Sequence, residues 1–353
     1  MAYSVSTLSS TVVSNAFDRN KPVFIGENVL RGSSVDAVWR TWTSSLLSLG
    51  RWDLPYPNLY EATDTNHPTK YAFDDHAYVQ TKATYSNYTP SPGTNDNAGI
   101  LFEFPAGTVD SLAIVNHNFF RLKNLYSTVS QPLYIEVWIA DDKNFSVNKQ
   151  RVYMWTDPPS NKPLVALNLS RKQFGAPSTG NDFEQYSGLQ YMQIKILCFG
   201  AAMTVVPEIG EVILGRRTQL AHQAMVPYLD RLTSANVDIN DPSTGQVNIY
   251  KKAVGMQQFQ NNFRLTTDKD DFITFTGTHI DHGTLPFIYG PRPSSNWTRT
   301  GVSTGNLSSS FPTFHMMHLT DPSVSLVRSN ESPFDFLTSV SMQEIPPFTS
   351  GMS

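Results

Sequence analysis

The chain has 353 residues, a formal net charge of −4, 16% charged residues and one cysteine, Cys198. One sulfur cannot form an intrachain disulfide or a thiolate-rich metal site, and the acidic balance gives no basic face for phosphate backbones. We therefore predict no disulfide framework and no nucleic-acid partner, and we predict that Cys198, within the apolar run Ile194–Phe199, is a buried hydrophobe.

The two ends of the chain are predicted to be extensions. Met1–Arg19 contains no basic segment followed by an apolar core, so we predict no secretory signal peptide and expect synthesis in the cytosol. No apolar run reaches the ~18 residues of a spanning helix, so we predict no membrane insertion. Residues 1–20 are predicted to form an N-terminal arm and residues 346–353 a C-terminal tail, both docking on neighbouring proteins.

Short runs of β-branched and aromatic residues predict a β-sheet domain over residues 21–217. In Leu133–Ile139 apolar residues alternate with Tyr134, Glu136 and Trp138, a period of two that predicts a strand with one buried face. Six or more such antiparallel strands joined by long loops predict a two-layer β-sandwich. The other predicted strands are Leu101–Phe104, Leu112–Asn116, Leu164–Leu169, Tyr191–Leu197 and Val212–Leu214.

Two polar segments of this domain are predicted to lie at its surface or at a turn. Tyr85–Gly99 contains two prolines, two glycines and four Asn or Asp residues, and is predicted to be an exposed loop. Asn116-His117-Asn118 follows the apolar residues Leu112–Val115 directly, so the triplet is predicted to turn the chain at the end of a strand.

The second half of the chain is predicted to hold a smaller β domain over residues 241–345. Before it, residues 218–240 are predicted to be a linker or arm, and Thr218–Leu232 a short helix or an extended arm. Pro291–Ser310, rich in Ser, Thr, Gly and Asn, is predicted to be a long exposed loop. The predicted strands are Val247–Tyr250, Phe263–Thr267, Asp271–Thr276, Leu285–Tyr289, Val324–Val327 and Phe336–Ile345.

The sequence gives little evidence for a catalytic site or a metal site. His279 and His282, like His315 and His318, are three residues apart in segments predicted to be extended or loop-like, where such side chains point to opposite sides, so we predict no metal and no cofactor. Glu208 and Glu211 diverge for the same reason. Gly301-Val302-Ser303-Thr304-Gly305 follows no apolar strand, so it lacks the setting of a serine nucleophile. We predict that the protein is not an enzyme.

Aromatic residues near the N-terminus offer one possible binding surface. Trp39, Trp42 and Trp52 lie close together in the sequence. Such a cluster can stack on a sugar ring, but it more often fills a core or anchors a protein interface. We therefore keep both interpretations, and we favour the core or interface.

Three segments together resemble virion structural proteins of tailed bacteriophages, of the kind that carry a galactose-binding-like jelly-roll domain. They are Asn28–Ser34, Phe102–Asn118 and Pro207–Gly215. The resemblance implies a jelly-roll β-sandwich over roughly residues 25–215. It gives structural roles in the motif to Asn116, His117, Asn118, Ile209, Gly210 and Glu211.

The resemblance implies a tail, baseplate or fibre-attachment component assembled in the host cytoplasm. Low charge and abundant Ser, Thr, Asn and Gln suit permanent contacts, because neutral polar groups cost less to bury than charges. We predict an all-β protein, a jelly-roll β-sandwich followed by a second, smaller β domain, that assembles with copies of itself and other virion proteins. The alternative is an adhesin that binds host-surface carbohydrate; a polysaccharide hydrolase and a spherical-virus capsid protein are less favoured.

Overall fold

The computed structural model describes the secondary structure of most of the chain between residues 21 and 345. The described residues are 21–26, 28–31, 35–45, 60–61, 63–75, 77, 79–84, 94–105, 109, 111–126, 134–145, 147, 150–156, 164–168, 190–197, 205–240, 247–281, 285–290, 314–321, 324–328 and 335–345. The predicted terminal arm and tail, the loop Pro291–Ser310 and Cys198 lie outside these residues.

Strands dominate the described residues, which confirms the all-β prediction. These residues also contain two α-helices, a short helix (Phe119–Tyr126) and a long helix (Lys269–Asp281), and a 3-10 turn at Thr69–Ala72. The strands in chain order are β1 (Val23–Gly26), β2 (Ala37–Ser45), β3 (Tyr60–Glu61), β4 (Thr81–Lys82), β5 (Thr94–Phe104), β6 (Ser111–Val115), β7 (Tyr134–Ala140), β8 (Gln150–Thr156), β9 (Leu164–Asn168), β10 (Gln190–Leu197), β11 (Glu208–Ile209), β12 (Glu211–Gln219), β13 (Met225–Asn240), β14 (Val247–Leu265), β15 (Phe287–Gly290), β16 (His315–Leu319), β17 (Leu326–Arg328) and β18 (Phe336–Glu344).

The described residues divide into two compact units. Unit 1 consists of the described residues within Glu27–Arg216. Unit 2 consists of those within Arg19–Gly26, Arg217–Pro293 and Pro312–Ser353. In unit 1 the strand order β3-β2-β5-β10-β7-β8 forms one antiparallel sheet. A second antiparallel layer contains β12, β6 and β9, and β4 pairs with β11.

Unit 1 is a β-sandwich because residues from both layers share one apolar core. Phe102 and Ile194 from the first sheet belong to the same buried cluster as Leu112 and Val212 from the second, and the short helix adds Leu122. These residues recur at every second position of their strands, as predicted, since a strand turns alternate side chains to the same face. Burial of this apolar area is the main stabilising contribution.

Unit 2 is built around an aromatic core. Its sheet has the order β13-β14-β18-β16-β15-β1, and β17 also pairs with β18. The long helix packs on this sheet through Phe272 and Phe275, both buried. The Phe24 ring lies 5.1 Å from that of Phe275 and 4.9 Å from that of Tyr289, so one β1 side chain joins helix and sheet.

The prediction of a strand at Asp271–Thr276 is wrong, because these residues belong to the long helix. Phe272, Phe275, Thr276 and His279 are buried at a spacing of three, four and seven residues, which is the period of a helix. Thr276 Oγ1 donates to Phe272 O at 2.9 Å, satisfying its hydroxyl within the helix. The prediction relied on the β-branched residues of this segment and did not consider the helical spacing of its apolar residues.

Two further polar segments form strands where none was predicted. Residues 94–99, assigned to an exposed loop, lie in β5 because they pair with both β2 and β10, and Asn97 is buried. The rest of that predicted loop, residues 85–93, lies outside the described residues. Residues 218–240, predicted as a linker or as a short helix or extended arm, contain β13, which pairs along β14.

Two glycines near the long helix offer a matched test of the unit 2 core. Gly277 lies in the helix, and an added Cβ would have no atom within 4 Å; Gly26 lies on β1, where a Cβ would collide with the His279 ring and lie 2.7 Å from Phe275 Cε2. We expect Gly277→Ala to stabilise the protein by about 1 kcal/mol, because alanine favours the helix. We expect Gly26→Ala to destabilise it by about 2 kcal/mol through overpacking.

Urea unfolding followed by far-UV circular dichroism measures both changes. Equal effects of the two substitutions would contradict this account of the helix packing.

Candidate functional site

The motif residues predicted from the resemblance meet at one junction in unit 1. Gly210 N donates to Val115 O at 3.0 Å and to Asn116 O at 3.1 Å, and Asn116 Nδ2 donates to Ala77 O at 2.7 Å. Asn116 has a φ of 53°, a left-handed conformation that asparagine tolerates better than most residues. The triplet thus turns the chain at the end of β6, as predicted.

Asn118 fixes the other side of the junction. Its Nδ2 donates to Val206 O at 2.8 Å, and its Oδ1 accepts from Glu208 N at 3.1 Å. One amide side chain therefore holds the segment before β11 against the start of the short helix. Ile209, the remaining motif residue, is fully buried in the sandwich core.

His117 has the environment of a structural residue and not of an acid–base catalyst. Its ring stacks on Phe119 at 4.1 Å, and its Nδ1 accepts from Phe119 N at 3.3 Å. Burial lowers the pKa of His117 to about 3, because the charged imidazolium is poorly solvated there. The ring therefore stays neutral at physiological pH.

Glu211 is an unusual buried carboxyl group. Its side chain has no exposed area, and within the described part of the chain neither oxygen accepts a hydrogen bond from another side chain. Burial raises its pKa well above the usual value, and the negative charges of Asp75 and Asp74 raise it further. Arg31 opposes this shift, but its Nε is 2.7 Å from Asp75 Oδ2. Glu211 therefore holds a proton where an exposed glutamate would be ionised.

The two glutamates three residues apart occupy different environments, in agreement with the predicted divergence. Glu208 is partly exposed, and its Oε1 lies 3.1 Å from Lys82 Nζ on the paired strand β4. Glu211 lies within the fold. Among the described residues, no group of three His, Cys, Asp or Glu side chains is arranged to hold a metal ion.

One of the three tryptophans of the possible sugar-binding surface is excluded from that role. Trp39 is fully buried in the sandwich core, and its Nε1 donates to Thr81 Oγ1 at 2.9 Å, so it cannot stack on a sugar. Trp42 lies on β2 opposite Asn97, but its side chain is outside the description, as is all of Trp52. A glycan-binding role of these two tryptophans stays a prediction.

The two histidine pairs lie in different secondary structure. The prediction of an extended segment at His279–His282 is wrong, since His279 lies in the long helix, buried 4.5 Å from the Phe275 ring. His282 is outside the described residues. The second pair does lie in a strand, and His315 Nδ1 is 2.9 Å from Glu344 Oε1 across β16 and β18.

The prediction that β7 has only one buried face is wrong. Glu136, fully buried, accepts a hydrogen bond from Trp138 Nε1 at 2.7 Å, and Lys195 Nζ lies 4.6 Å from the centre of the Trp138 ring. Glu136 and Lys195 are directly opposite each other in the β7–β10 register. Their complementary charges were the sequence signal for this buried polar layer.

Sequence analysis missed β13, although its predicted strands Val247–Tyr250 and Phe263–Thr267 lie mostly within β14, the partner of β13. Among the strands that the structure describes, β13 pairs only with β14. On β14, Gln258–Leu265 also pairs with β18, whereas Val247–Gln257 pairs only with β13. We call residues 232–240 with 247–257 the ribbon. It continues for roughly 35 Å past the last pair with β18, at ~3.3 Å per residue.

No helix in the described part of the chain is long and apolar enough to cross a membrane.

The buried carboxyl group of Glu211 predicts a pH-dependent stability. Its pKa is higher in the folded than in the unfolded chain, so folding takes up a proton, and stability is greatest below the unfolded pKa of about 4.3. Stability falls as the pH rises toward the folded pKa. We expect Glu211→Gln to stabilise the protein relative to wild type by an amount that grows between pH 5 and pH 8.

Denaturant unfolding of both proteins over this pH range measures the difference. Glu208→Gln serves as the control, because a partly exposed ion pair contributes less than about 1 kcal/mol. A difference between Glu211→Gln and wild type that stays constant with pH would contradict the assignment.

Comparisons with known proteins give no family. No family model and no curated protein matches the chain. Among solved structures, the C-terminal domain of a chitobiase from Bacteroides fragilis has 9% identity and a TM-score of 0.28, covering 45% of this chain and 90% of that one. Chitosan-binding module 1, derived from a chitosanase/glucanase of Paenibacillus sp. IK-5, has 10% identity and a TM-score of 0.30, covering 54% of this chain and 100% of that one. Similarity at this level carries no argument about function.

Proposed function

We propose that this chain is a non-enzymatic structural subunit that assembles with copies of itself and with other proteins of a virion of the tailed-bacteriophage type. The observation that carries the proposal is the ribbon, because among the described strands its two segments, residues 232–240 and 247–257, pair only with each other. The virion setting comes from the sequence resemblance in Asn28–Ser34, Phe102–Asn118 and Pro207–Gly215.

A ribbon of this kind needs a covering surface. An isolated two-stranded hairpin is marginally stable in water, because it buries little apolar area for the chain entropy that it loses. No described strand pairs with its outer edges, and the N–H and C=O groups of such an edge pair readily with a strand of another chain. A neighbouring subunit that covers the ribbon satisfies both requirements at once.

The composition of the ribbon suits such a contact. Within residues 232–240 and 247–257 the charged residues are Asp238, Lys251 and Lys252, while Asn and Gln supply most of the polar groups. Amides are cheaper to desolvate than charges, and they can hydrogen-bond to a partner backbone. The ribbon therefore has a composition suited to a permanent interface.

Shortening the ribbon tests the proposal. Replacing residues 236–252 with Asn-Gly, a dipeptide that favours a tight hairpin turn, removes most of the ribbon and keeps the β14–β18 pairs from Gln258 onward. We expect the shortened protein to stay folded but to lose association with purified particle components. Light scattering of each protein, alone and mixed with those components, measures the association.

A matched control replaces only Asp238, Lys251 and Lys252 with Asn or Gln, which keeps ribbon length and removes its charges. We expect this variant to assemble like wild type. If the shortened protein unfolds at the wild-type temperature and still assembles fully, the ribbon is not the assembly element.

The glycan-binding alternative has its own test. Purified wild-type protein and the Trp42→Ala variant are compared for binding to host polysaccharide, with Trp39→Phe as a core control. Polysaccharide binding that requires Trp42, by a protein that ignores particle components, would replace assembly with adhesion as the function.

A further inference from the structure

The turn that follows β7 holds a phenylalanine in a strained backbone conformation. Phe145 N donates to Asp142 O at 3.0 Å, so Phe145 is the last residue of a four-residue β-turn. Its φ is 55°, in the left-handed region, where a bulky residue is an outlier. Glycine is the residue favoured at the last position of the commonest β-turn. The turn by itself therefore does not explain a phenylalanine at this position.

Hydrogen bonds within the turn hold this conformation. Asp142 Oδ1 accepts from Val147 N at 2.7 Å, and Asp142 Oδ2 accepts from Asn144 N at 3.1 Å. Asp141 N donates to Val147 O at 3.1 Å. One carboxylate thus fixes the backbone on both sides of Phe145. We call residues 141–145 together with Val147 the β7 turn.

The β7 turn is also fastened to the segment that contains β2. Lys143 Nζ lies 2.8 Å from Asp36 Oδ2, in the residue directly before β2. On β2 itself, Arg40 Nη1 donates to Lys143 O at 3.3 Å. The exposed ion pair contributes little stability, but together the two contacts tie the turn to the first sheet of unit 1. The position of the turn is therefore determined before any partner binds.

The Phe145 ring does not belong to the apolar core. Its side chain is half-buried, and among the described residues it is a member of neither core cluster and is not packed against either of them. The backbone strain at Phe145 is therefore not offset by packing in these clusters. Residues in strained conformations that their surroundings hold in place are found mainly at functional sites.

The side chains of the β7 turn suit a protein partner better than a sugar. Val147, two residues from Phe145, is 49% exposed, whereas both oxygens of Asp142 bond within the turn and Lys143 pairs with Asp36. Most charged groups that could bind sugar hydroxyls are thus engaged in holding the turn. Asn144 is exposed and supplies a polar margin. Apolar anchors with a polar margin are typical of protein–protein contacts.

We propose that the β7 turn is a second assembly contact, in which Phe145 is the anchor and enters an apolar pocket on another protein of the particle. The inference rests on the proposed assembly function and adds a contact in unit 1 to the ribbon in unit 2. Because the turn is held rigidly, little conformational entropy is lost when it binds. A single aromatic anchor of this kind can dominate the binding energy of a contact.

Replacing Phe145 with glycine separates a role in binding from a role in folding. Glycine adopts a φ of 55° without strain, so we expect Phe145→Gly to unfold thermally at the wild-type temperature or above it. We expect its association with purified particle components to weaken at least about tenfold, because an aromatic anchor is lost. Leu125→Ala is the matched control, since Leu125 is another exposed apolar residue of unit 1. We expect this control to associate like wild type.

Light scattering of each protein, mixed with the particle components over a concentration series, measures association, and circular dichroism on heating measures unfolding. A clearly lower unfolding temperature of Phe145→Gly would show that the ring stabilises the fold, and this result would overturn the proposal. Wild-type association of Phe145→Gly would also overturn it, as would binding to host polysaccharide that only this substitution abolishes. If wild type associates and Phe145→Gly does so equally, the assembly function stands without this contact. If wild type itself does not associate, both fail.

Discussion

The close backbone approach at Gly210 is the constraint on which unit 1 depends. A Cβ at this position would collide with Ala77 O and lie 2.8 Å from Asn116 Cβ. Only glycine therefore lets Gly210 N reach the carbonyls of Val115 and Asn116, which hold the end of β6 to the start of β12. The turn at Asn116 and the first β6–β12 pair, Val115 with Glu211, lie directly beside that contact.

Sequence reasoning predicted the features that depend on local periodicity. Alternation of apolar with polar or aromatic residues in Leu133–Ile139 and Tyr191–Leu197 identified β7 and β10, because successive side chains of a strand point to opposite faces. It failed at the long helix, where threonines suggested a strand although their hydroxyls bond within the helix. It also failed at β13 and at residues 94–99, since pairing on neighbouring strands outweighed weak local preference.

The candidate site was predictable only in part. The resemblance identified Asn116, Gly210 and Glu211 as motif residues, and the structure brings the first two into contact. The pKa of Glu211 is raised first by burial and then by the charges of Asp75 and Asp74, and Arg31 opposes the shift; these three residues lie far away in sequence. The ribbon could not be predicted because it is defined by where β18 ends, a property of the sheet and not of any one segment.

The buried polar layer of β7 and β10 limits how unit 1 can change. A strand with one exposed face accepts substitutions at every second residue with little cost. On β7 that freedom is lost, because Glu136 and Trp138 are as enclosed as the apolar residues between them. A change of charge at Glu136 is felt at Lys195 on the next strand. Sequence drift in this sheet is therefore expected in coordinated pairs, while single replacements are concentrated in the loops.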